Sequence, residues 1–587
     1  MKVPSALIAY TLAEELEHAL GDPHDPACTV GFAHLLELDE HERFPAEAAA
    51  ALDAWGFHTR HVSEEHGGRG RSFETLLALL RVVARRDLTL AVAYCHSMLG
   101  AITVWAAGSP AQKQALAKLI IAGGTVSLAL REQACGSDLP GGVAAIQEGA
   151  GYALSGEERL VSNATRGAAI LLFAKTGPPG GPRGFSLFLV EKDQLDPERF
   201  ALLNKIATYG VRGADISAIA FDGSRVPASA IVGASGRGQE LVLKTFKVIR
   251  TIGAALSLGA GDTALRLTLD FALDRPIYQR NVFALAYPRR LLVDAFLDLL
   301  MCEALAIAAT RAMHLAPGAL GLWSATARYF VPATIETTLS NLTAVLGARS
   351  YLREGHWHGV FQKIVRDHAE VSLLDGGPAI NLKVVAGQLR LLSERRGQRG
   401  DAEALAPLMG RIFGLSQALP PFDAGRLALE APGGDDILAG VGLLRRELGL
   451  LKERAGAKPD AFLLDQLIGL IGRVAEMAEA CAAERSRIET RYGAEADRSA
   501  EMLELAARTC ALRAALACGY LWLYNRDELG PFFAAGDWLL LSVVRVVDPE
   551  ALDRDLVYQE QEARIADTLR LYHEENRLFS LIPIHVA

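Results

Sequence analysis

The stretch 126–232 is written in short apolar runs broken by Gly, Pro and Asp, such as Ala168-Ala169-Ile170-Leu171-Leu172-Phe173-Ala174 and Phe185-Ser186-Leu187-Phe188-Leu189-Val190. Runs of that length bounded by turn residues read as strands. On both sides the spacing is helical: Leu76, Leu77, Leu80 and Val83, then Met98, Leu99, Ile102 and Trp105, recur with helix period upstream, and the same period returns over 239–392. A sheet region set between two helical regions is the first constraint on the fold. The Ala-rich stretch 251–275 is expected to be one helix whose small side chains permit close packing, and a bundle is its natural setting. The polar, charged run 393–401 reads as a linker. Beyond it 401–587 is helical again, with segments such as 476–491 and 499–524.

A chain of 587 residues is too long for one core. At about 150 residues per domain, four units are expected: 1–125 helical, 126–235 β, 236–395 a bundle, and 396–587 an additional helical domain. The fold class is α+β, mainly α. A formal net charge of −9 argues against a nucleic-acid surface. Seven cysteines without a CxxC pair read as reduced, mostly buried thiols. The chain start lacks a basic segment followed by an apolar run, and no uninterrupted apolar stretch of about 18 residues is seen. A soluble, unprocessed, cytoplasmic protein is the expectation. Half of the 14 histidines fall within the first 66 residues, but their spacing places no compact ligand set on one helix face, so no metal site is expected.

The stretch Leu128-Ala129-Leu130-Arg131-Glu132-Gln133-Ala134-Cys135-Gly136-Ser137-Asp138 is a β-like run breaking into a small-residue loop, of the kind that brings backbone amides against an anion or a flat cofactor. Read alone it is more often a bare turn. Its neighbours decide: Gly156-Glu157-Glu158-Arg159-Leu160-Val161-Ser162-Asn163-Ala164, then Gly210-Val211-Arg212-Gly213-Ala214-Asp215-Ile216-Ser217, then Ile219-Ala220-Phe221-Asp222-Gly223-Ser224-Arg225-Val226-Pro227. In that order and spacing they resemble the middle domain of the acyl-CoA dehydrogenase family, which carries FAD. Upstream, Val62-Ser63-Glu64-Glu65-His66-Gly67-Gly68 and Gly108-Ser109-Pro110-Ala111-Gln112-Lys113 resemble the family's Pro-Glu-Glu-Tyr-Gly-Gly turn and Gly-Ser-Glu-Glu-Gln-Lys helix start. Downstream, Asp274-Arg275-Pro276-Ile277-Tyr278 resembles Glu-Arg-x-x-Phe, and Arg366-Asp367 followed by Leu374-Asp375-Gly376 resembles the arginine-aspartate and Tyr-Glu-Gly elements. Roughly the first two thirds of the chain is covered.

The resemblance implies a helical N-terminal domain, a β-barrel-like middle domain and a four-helix bundle, with FAD between the last two. It places Leu128 and Leu130 at the cofactor, Ser137 on the FAD phosphate with Gly136 letting the backbone approach, and Ser162 at the flavin N5 edge. Leu160 stands where the family covers the ring with tryptophan, so the cover is expected to be looser. Arg131 replaces a threonine at the pyrimidine end; it either stabilises negative charge on reduced flavin or is a surface arginine turned away. Arg275 and Tyr278 fall where the family reaches the neighbouring subunit's FAD, with a structural ion pair to a neighbouring charge as the alternative for Arg275. Gly347 keeps one glycine of the adenine loop, whereas Ala344, Ala348 and Ser350 stand at the loop's glutamine and other two glycines, and Ala286 stands at another usual glutamine. Gly377 is a further cofactor position.

On the substrate side the resemblance puts Phe246 and Arg250 beside the pantetheine channel. Lys247 replaces an aspartate there, pointing either to a changed thioester carrier or to a solvated lysine. Tyr94, Met98 and Leu99 are read as the end of the acyl pocket, or as core. The base is Asp375, with Gly376 against the substrate, because the family's other base position is Ile249 here. Aspartate is shorter than glutamate by about 1.5 Å, and a misplacement of ~1 Å costs on the order of a hundredfold in rate. The plain alternative is that Asp375-Gly376-Gly377-Pro378 is only a turn. The implied activity is α,β-dehydrogenation of an acyl thioester, on CoA or a carrier protein, by a homodimer or homotetramer that passes electrons to an electron-transfer flavoprotein. An oxygen-using oxidase or monooxygenase and a non-catalytic assembly subunit are the alternatives.

Overall fold

The computed structural model describes residues 7–130, 142–177, 183–374, 376–395, 402–429, 437–455 and 460–587. The chain opens with six helices, α1 (Ile8–Leu20), α2 (Phe32–Glu40), α3 (Ala46–Trp55), α4 (Phe73–Arg86), α5 (Leu88–Ala107) and α6 (Pro110–Ile121). Their starts are set locally. Ser72 and Asp87 accept N–H bonds from Thr75 and Leu90, and Ser109 with Gln112 forms a reciprocal capping box behind Pro110. The helix start read at Gly108-Ser109-Pro110 is therefore where the sequence puts it.

The sheet region follows as β1 (Val126–Ala129), β2 (Ala144–Glu148), β3 (Gly151–Ser162), β4 (Ala169–Lys175), β5 (Phe185–Glu191), β6 (Phe200–Leu202), β7 (Ile216–Pro227) and β8 (Ile231–Val232). Its order is β6-β7-β3-β1-β4-β5-β8, with β2 also between β3 and β4. Among the described residues no pairing joins β6 to β8, so they show an eight-stranded sheet and no closed barrel. Side chains alternate between two cores with the period of a strand. Leu128, Leu171, Phe173 and Leu187 face the helical core, while Ala129, Ile170, Leu172 and Phe188 form a second cluster on the opposite face.

The bundle comprises α7 (Gly238–Ile252), α8 (Ala254–Asp274), α9 (Ala286–Leu315), α10 (Leu320–Leu346), α11 (Val360–Leu373) and α12 (Pro378–Arg395), with a short hairpin, β9 (Pro276–Ile277) and β10 (Arg280–Asn281), after α8. The helix expected over 251–275 is divided at Gly253, where α7 ends and α8 begins. The remaining helices are α13 (Ala402–Phe413), α14 (Val441–Ala455), α15 (Asp460–Tyr492), α16 (Ala500–Asn525), α17 (Pro531–Ala535), α18 (Asp537–Val547), α19 (Ala551–Arg554) and α20 (Leu556–Glu574). They do not form a separate core: one buried apolar cluster runs continuously from Leu7 to Val586.

The chain's last residues explain part of that continuity. Phe579 donates its N–H to Asp262 at 2.9 Å, and Ser580 and Leu581 donate to Glu303 at 2.5 and 2.7 Å. Glu303 also pairs with Arg81 at 2.7 Å, Asp262 with Arg85 at 2.7 Å, and Glu17 with Arg85 and Arg86. Burial alone would raise the Glu17 and Asp262 carboxyls, but the adjoining guanidinium groups outweigh it and hold both below their ordinary values.

The sequence reading finds no stretch long and apolar enough to cross a bilayer. The structure corrects this: α5 has 20 residues with a mean hydropathy of 1.5 and meets that length and composition. Its window is 78% buried inside the protein, because it packs against β1, α4 and α7 as the core helix of the fold.

Three buried histidines make stability depend on pH. Burial pushes His61 and His314 down to about 4 and His368 to about 3. A histidine whose folded pKa is depressed binds its proton first in the unfolded chain, so stability falls as pH drops below about 6.5. Each group contributes about 1.4 kcal/mol per pH unit down to its folded pKa. Unfolding free energies from denaturant titration at pH 7 and pH 5 are expected to differ by several kcal/mol, with the acid side weaker; equal values would mean the rings are not held neutral.

Candidate active site

The turn after α11 is held from three sides. Arg328 of α10, buried, donates from Nη2 to the carbonyls of Val371, at 2.8 Å, and of Leu374. These are carbonyls at the end of a helix, which lack intrahelical donors and attract a cation. From the following helix, Asn381 donates Nδ2 to the carbonyls of Gly376 and Gly377 at 2.7 and 3.1 Å. From α7, Arg250 approaches so closely that a Cβ on Gly376 would sit 3.2 Å from its Nη2. Gly376 has φ +100°, a conformation that glycine adopts at no steric cost. Asp375, the expected base, lies outside the described residues.

The helix leading into this turn is fixed to its surroundings. His368 Nε2 meets Ser257 Oγ at 3.0 Å, and Lys363 bridges Asp87 and Asp367 at 2.7 and 2.5 Å. The Gly210 motif of the sheet region docks here: Val211 donates its N–H to Asp367 at 2.6 Å, and a Cβ at position 210 would collide with the Arg366 carbonyl at 2.2 Å. That motif therefore joins the sheet to the helix carrying the turn.

A second cluster lies on the sheet. Leu128 pairs with Ser162 across β1 and β3, with Leu130 just beyond the end of β1. The β3–β7 register shifts between Glu158 and Val161, and within that bulge Leu160 takes φ +57° and is 47% exposed. Bulges of this kind re-aim a side chain. An apolar side chain held outward beside a half-buried hydroxyl fits the face and edge of a flat ring. The structure thus unites Leu128, Leu130, Leu160 and Ser162, whereas Arg131, Gly136 and Ser137 lie outside the described residues. Arg275 ends α8 and makes no ion pair among the described residues, so the structural ion-pair alternative does not hold. Tyr278 is 84% exposed at the tip of the β9–β10 hairpin, where it and Gln279 both have positive φ. Two-residue turns of that type favour Asn-Gly, so Tyr-Gln stores strain there. At Gly347, φ is +58° and a Cβ would meet nothing within 4 Å. An exposed aromatic, a free guanidinium and an open glycine are suited to a cofactor's polar end.

The substrate-side residues take different places. Lys247 is neither solvated nor directed at a carrier: it is 8% exposed and donates to the carbonyls of Ala428, at 2.5 Å, and Leu429, at 2.7 Å. Tyr94 turns toward α3, giving its hydroxyl to Asp53 at 2.7 Å and the Ala49 carbonyl at 3.1 Å. There it lines a cavity of about 310 Å³ with Phe44, Asn163 and Arg166. Met98 and Leu99 are buried core residues of α5, which is tied to α7 by Thr103 and Thr245 hydroxyls 3.0 Å apart. Phe246 is buried beneath Arg250, whose guanidinium lies 5.7 Å from its ring centroid. Sequence reasoning missed Arg328 and Asn381, since a mid-helix arginine and a first-turn asparagine carry no signal of the carbonyls they serve.

Comparison with known proteins matches residues 29–124 to the family described as "Acyl-CoA dehydrogenase, N-terminal domain" and residues 236–389 to "Acyl-CoA dehydrogenase, C-terminal domain". A probable acyl-CoA dehydrogenase, fadE25, of Mycobacterium leprae is 28% identical over 320 residues, covering 54% of this chain and 82% of that protein. A cyclohex-1-ene-1-carbonyl-CoA dehydrogenase of Geobacter metallireducens is 26% identical over 383 residues, covering 65% and 99%. Among solved structures, an acyl-CoA dehydrogenase complexed with FAD from Bacillus anthracis covers 97% of this chain and 90% of its own, at 15% identity and a TM-score of 0.67. That likeness shows a shared fold that extends through the C-terminal helices.

Proposed function

We propose, from the premise that this chain belongs to the acyl-CoA dehydrogenase family of flavoprotein oxidoreductases, that it removes hydrogen from the α,β bond of an acyl thioester with FAD as its resident cofactor. The observation that carries this reading is the clamped turn at 374–377, because a base must be held over its substrate to within about an ångström. FAD, when bound, supplies the hydride acceptor. Asp375 takes the α-proton. Arg250, buried beside Gly376, provides positive charge at the turn. Arg328 and Asn381 hold the turn's carbonyls and thereby its approach. Leu128, Leu130, Leu160 and Ser162 support the ring end of the cofactor, with Ser137 at its phosphate. Arg275, Tyr278 and Gly347 serve its polar end, in an arrangement shared between subunits. An electron-transfer flavoprotein takes the electrons onward, and the protein works in the cytoplasm.

The purified protein is expected to be yellow, to release FAD on denaturation, and to lose its visible flavin absorbance when an acyl thioester is added without oxygen. A colourless protein that also fails to bind added FAD would leave only a non-catalytic role. Leu160, half exposed and without an indole, favours one second reading, in which oxygen reaches the ring. Rapid peroxide formation during turnover, or an oxygenated product, would establish that reading in place of the dehydrogenase.

Arg328→Lys tests the clamp, since lysine is one bond shorter and does not carry its ammonium to the place of the Nη2 that serves both carbonyls. The rate of bleaching at saturating thioester is expected to fall about tenfold or more with little change in KM, which is the signature of a displaced base. An unaltered rate would show that the turn keeps its place without the arginine.

A further inference from the structure

We propose that the segment 420–429, which reaches the bundle from the C-terminal helices, forms a wall of the thioester channel against the carrier arm, and that Lys247 is the latch holding it there. The inference rests on the functional reading above and on the resemblance, which puts Phe246 and Arg250 beside the pantetheine channel.

The geometry comes from two neighbouring helices, α7 and α10, each marked twice. On α7, Arg250 touches the catalytic turn at Gly376, while Lys247, three residues earlier, holds the carbonyls of Ala428 and Leu429. Three residues are about 4.5 Å of helical rise, and positions i and i+3 lie on one face. On α10, Arg328 holds the Leu374 carbonyl, and Gly321, seven residues earlier on the same face, lies against the Lys247 ammonium, 3.2 Å from where a Cβ would be. The catalytic turn and the end of the segment are therefore neighbours along a single α7–α10 groove.

The rest of the segment is anchored rather than draped. Its short turn Ala424–Arg426 packs on α5, and Leu427 is buried in the main core. At its other end, His314 accepts the Phe73 N–H at Nε2, so its Nδ1 donates to the Pro420 carbonyl at 2.9 Å, while Phe422 meets the Phe73 ring edge-on at 4.9 Å. This accounts for the sign of the charge at 247. A carboxylate there would face two carbonyl oxygens and repel the segment, whereas a buried ammonium is satisfied by them. The additional C-terminal region is thus part of the substrate site.

The test uses the FAD-loaded protein with Lys247→Met and, separately, Leu427→Asp, which puts a charge where the core admits none. Two thioesters of the same acyl group are compared, acyl-pantetheine and the truncated acyl-N-acetylcysteamine, by flavin bleaching, while limited proteolysis within 420–429 reports release of the segment. Cleavage is expected to accelerate, and the ratio of KM for acyl-pantetheine to KM for the truncated thioester is expected to rise about tenfold, a change of about 1.4 kcal/mol in differential binding. A freed segment with an unchanged ratio overturns the inference, as does a segment no easier to cleave in either variant. Failure of both thioesters to bleach the unaltered protein overturns the functional reading instead, and the cleavage rates still decide whether Lys247 is the latch.

Discussion

Asp375→Asn is expected to lower the rate of flavin bleaching by an acyl thioester about 10²- to 10⁴-fold, the usual contribution of a positioned general base, while FAD content and thermal stability stay close to those of the unaltered protein. The amide is nearly isosteric with the carboxylate but takes up no proton at neutral pH. Asp375→Glu gives the sharper result. Arg328 holds the Leu374 carbonyl and Asn381 the Gly376 carbonyl, so the residues on either side of position 375 are fixed. If the backbone follows the family's usual course, glutamate restores about 1.5 Å of reach and the rate rises; if it has moved inward, the side chain collides with the thioester and the rate falls. Stopped-flow reduction of the flavin distinguishes these outcomes. Unchanged bleaching in the asparagine variant would reduce Asp375 to a turn residue.

Arg311→Met is expected to destabilise the protein by about 3–5 kcal/mol, the range for removing one partner of a buried charge pair. Arg311 is 1% exposed and pairs with Glu74 at 2.6 Å. It also donates to the carbonyls of Ile412, Arg411, Gly414 and Gln417 at 2.7 to 3.0 Å, so one guanidinium seats the start of the C-terminal region on the bundle. Methionine leaves Glu74, already raised by burial, without its counter-charge and four carbonyls without their donor. Chemical denaturation followed by far-UV ellipticity measures the loss. The double variant Arg311→Met/Glu74→Met is expected to recover part of it, because the orphaned carboxylate is removed as well. A loss below about 1 kcal/mol in the single variant would show that water reaches these groups.

The chain's sequence by itself determined whatever depends on neighbours a few residues apart. The helix, strand, helix order follows from a change of period between 3.6 and 2, and the start of α6 follows from Ser109, Pro110 and Gln112 within a single turn. Leu128 and Ser162 were each placed at the cofactor by the motifs around them, and their pairing across β1 and β3 came only from the fold. The break at Gly253 was not legible, since alanine-rich periodicity continues through it.

Only the tertiary structure decided the identity of partners far apart in the chain. Lys247 finds its carbonyls 181 and 182 residues away, and Arg328 finds those ending α11 at 43 and 46. The apolar composition of α5 is the same for a membrane span and a core helix until its neighbours cover it. The physical reason is common to the two cations. A side chain's hydrogen-bonding capacity is written in its residue type, but backbone carbonyls are the same at every position and leave no mark in a sequence, so which of them a buried cation serves is set only when the helices pack.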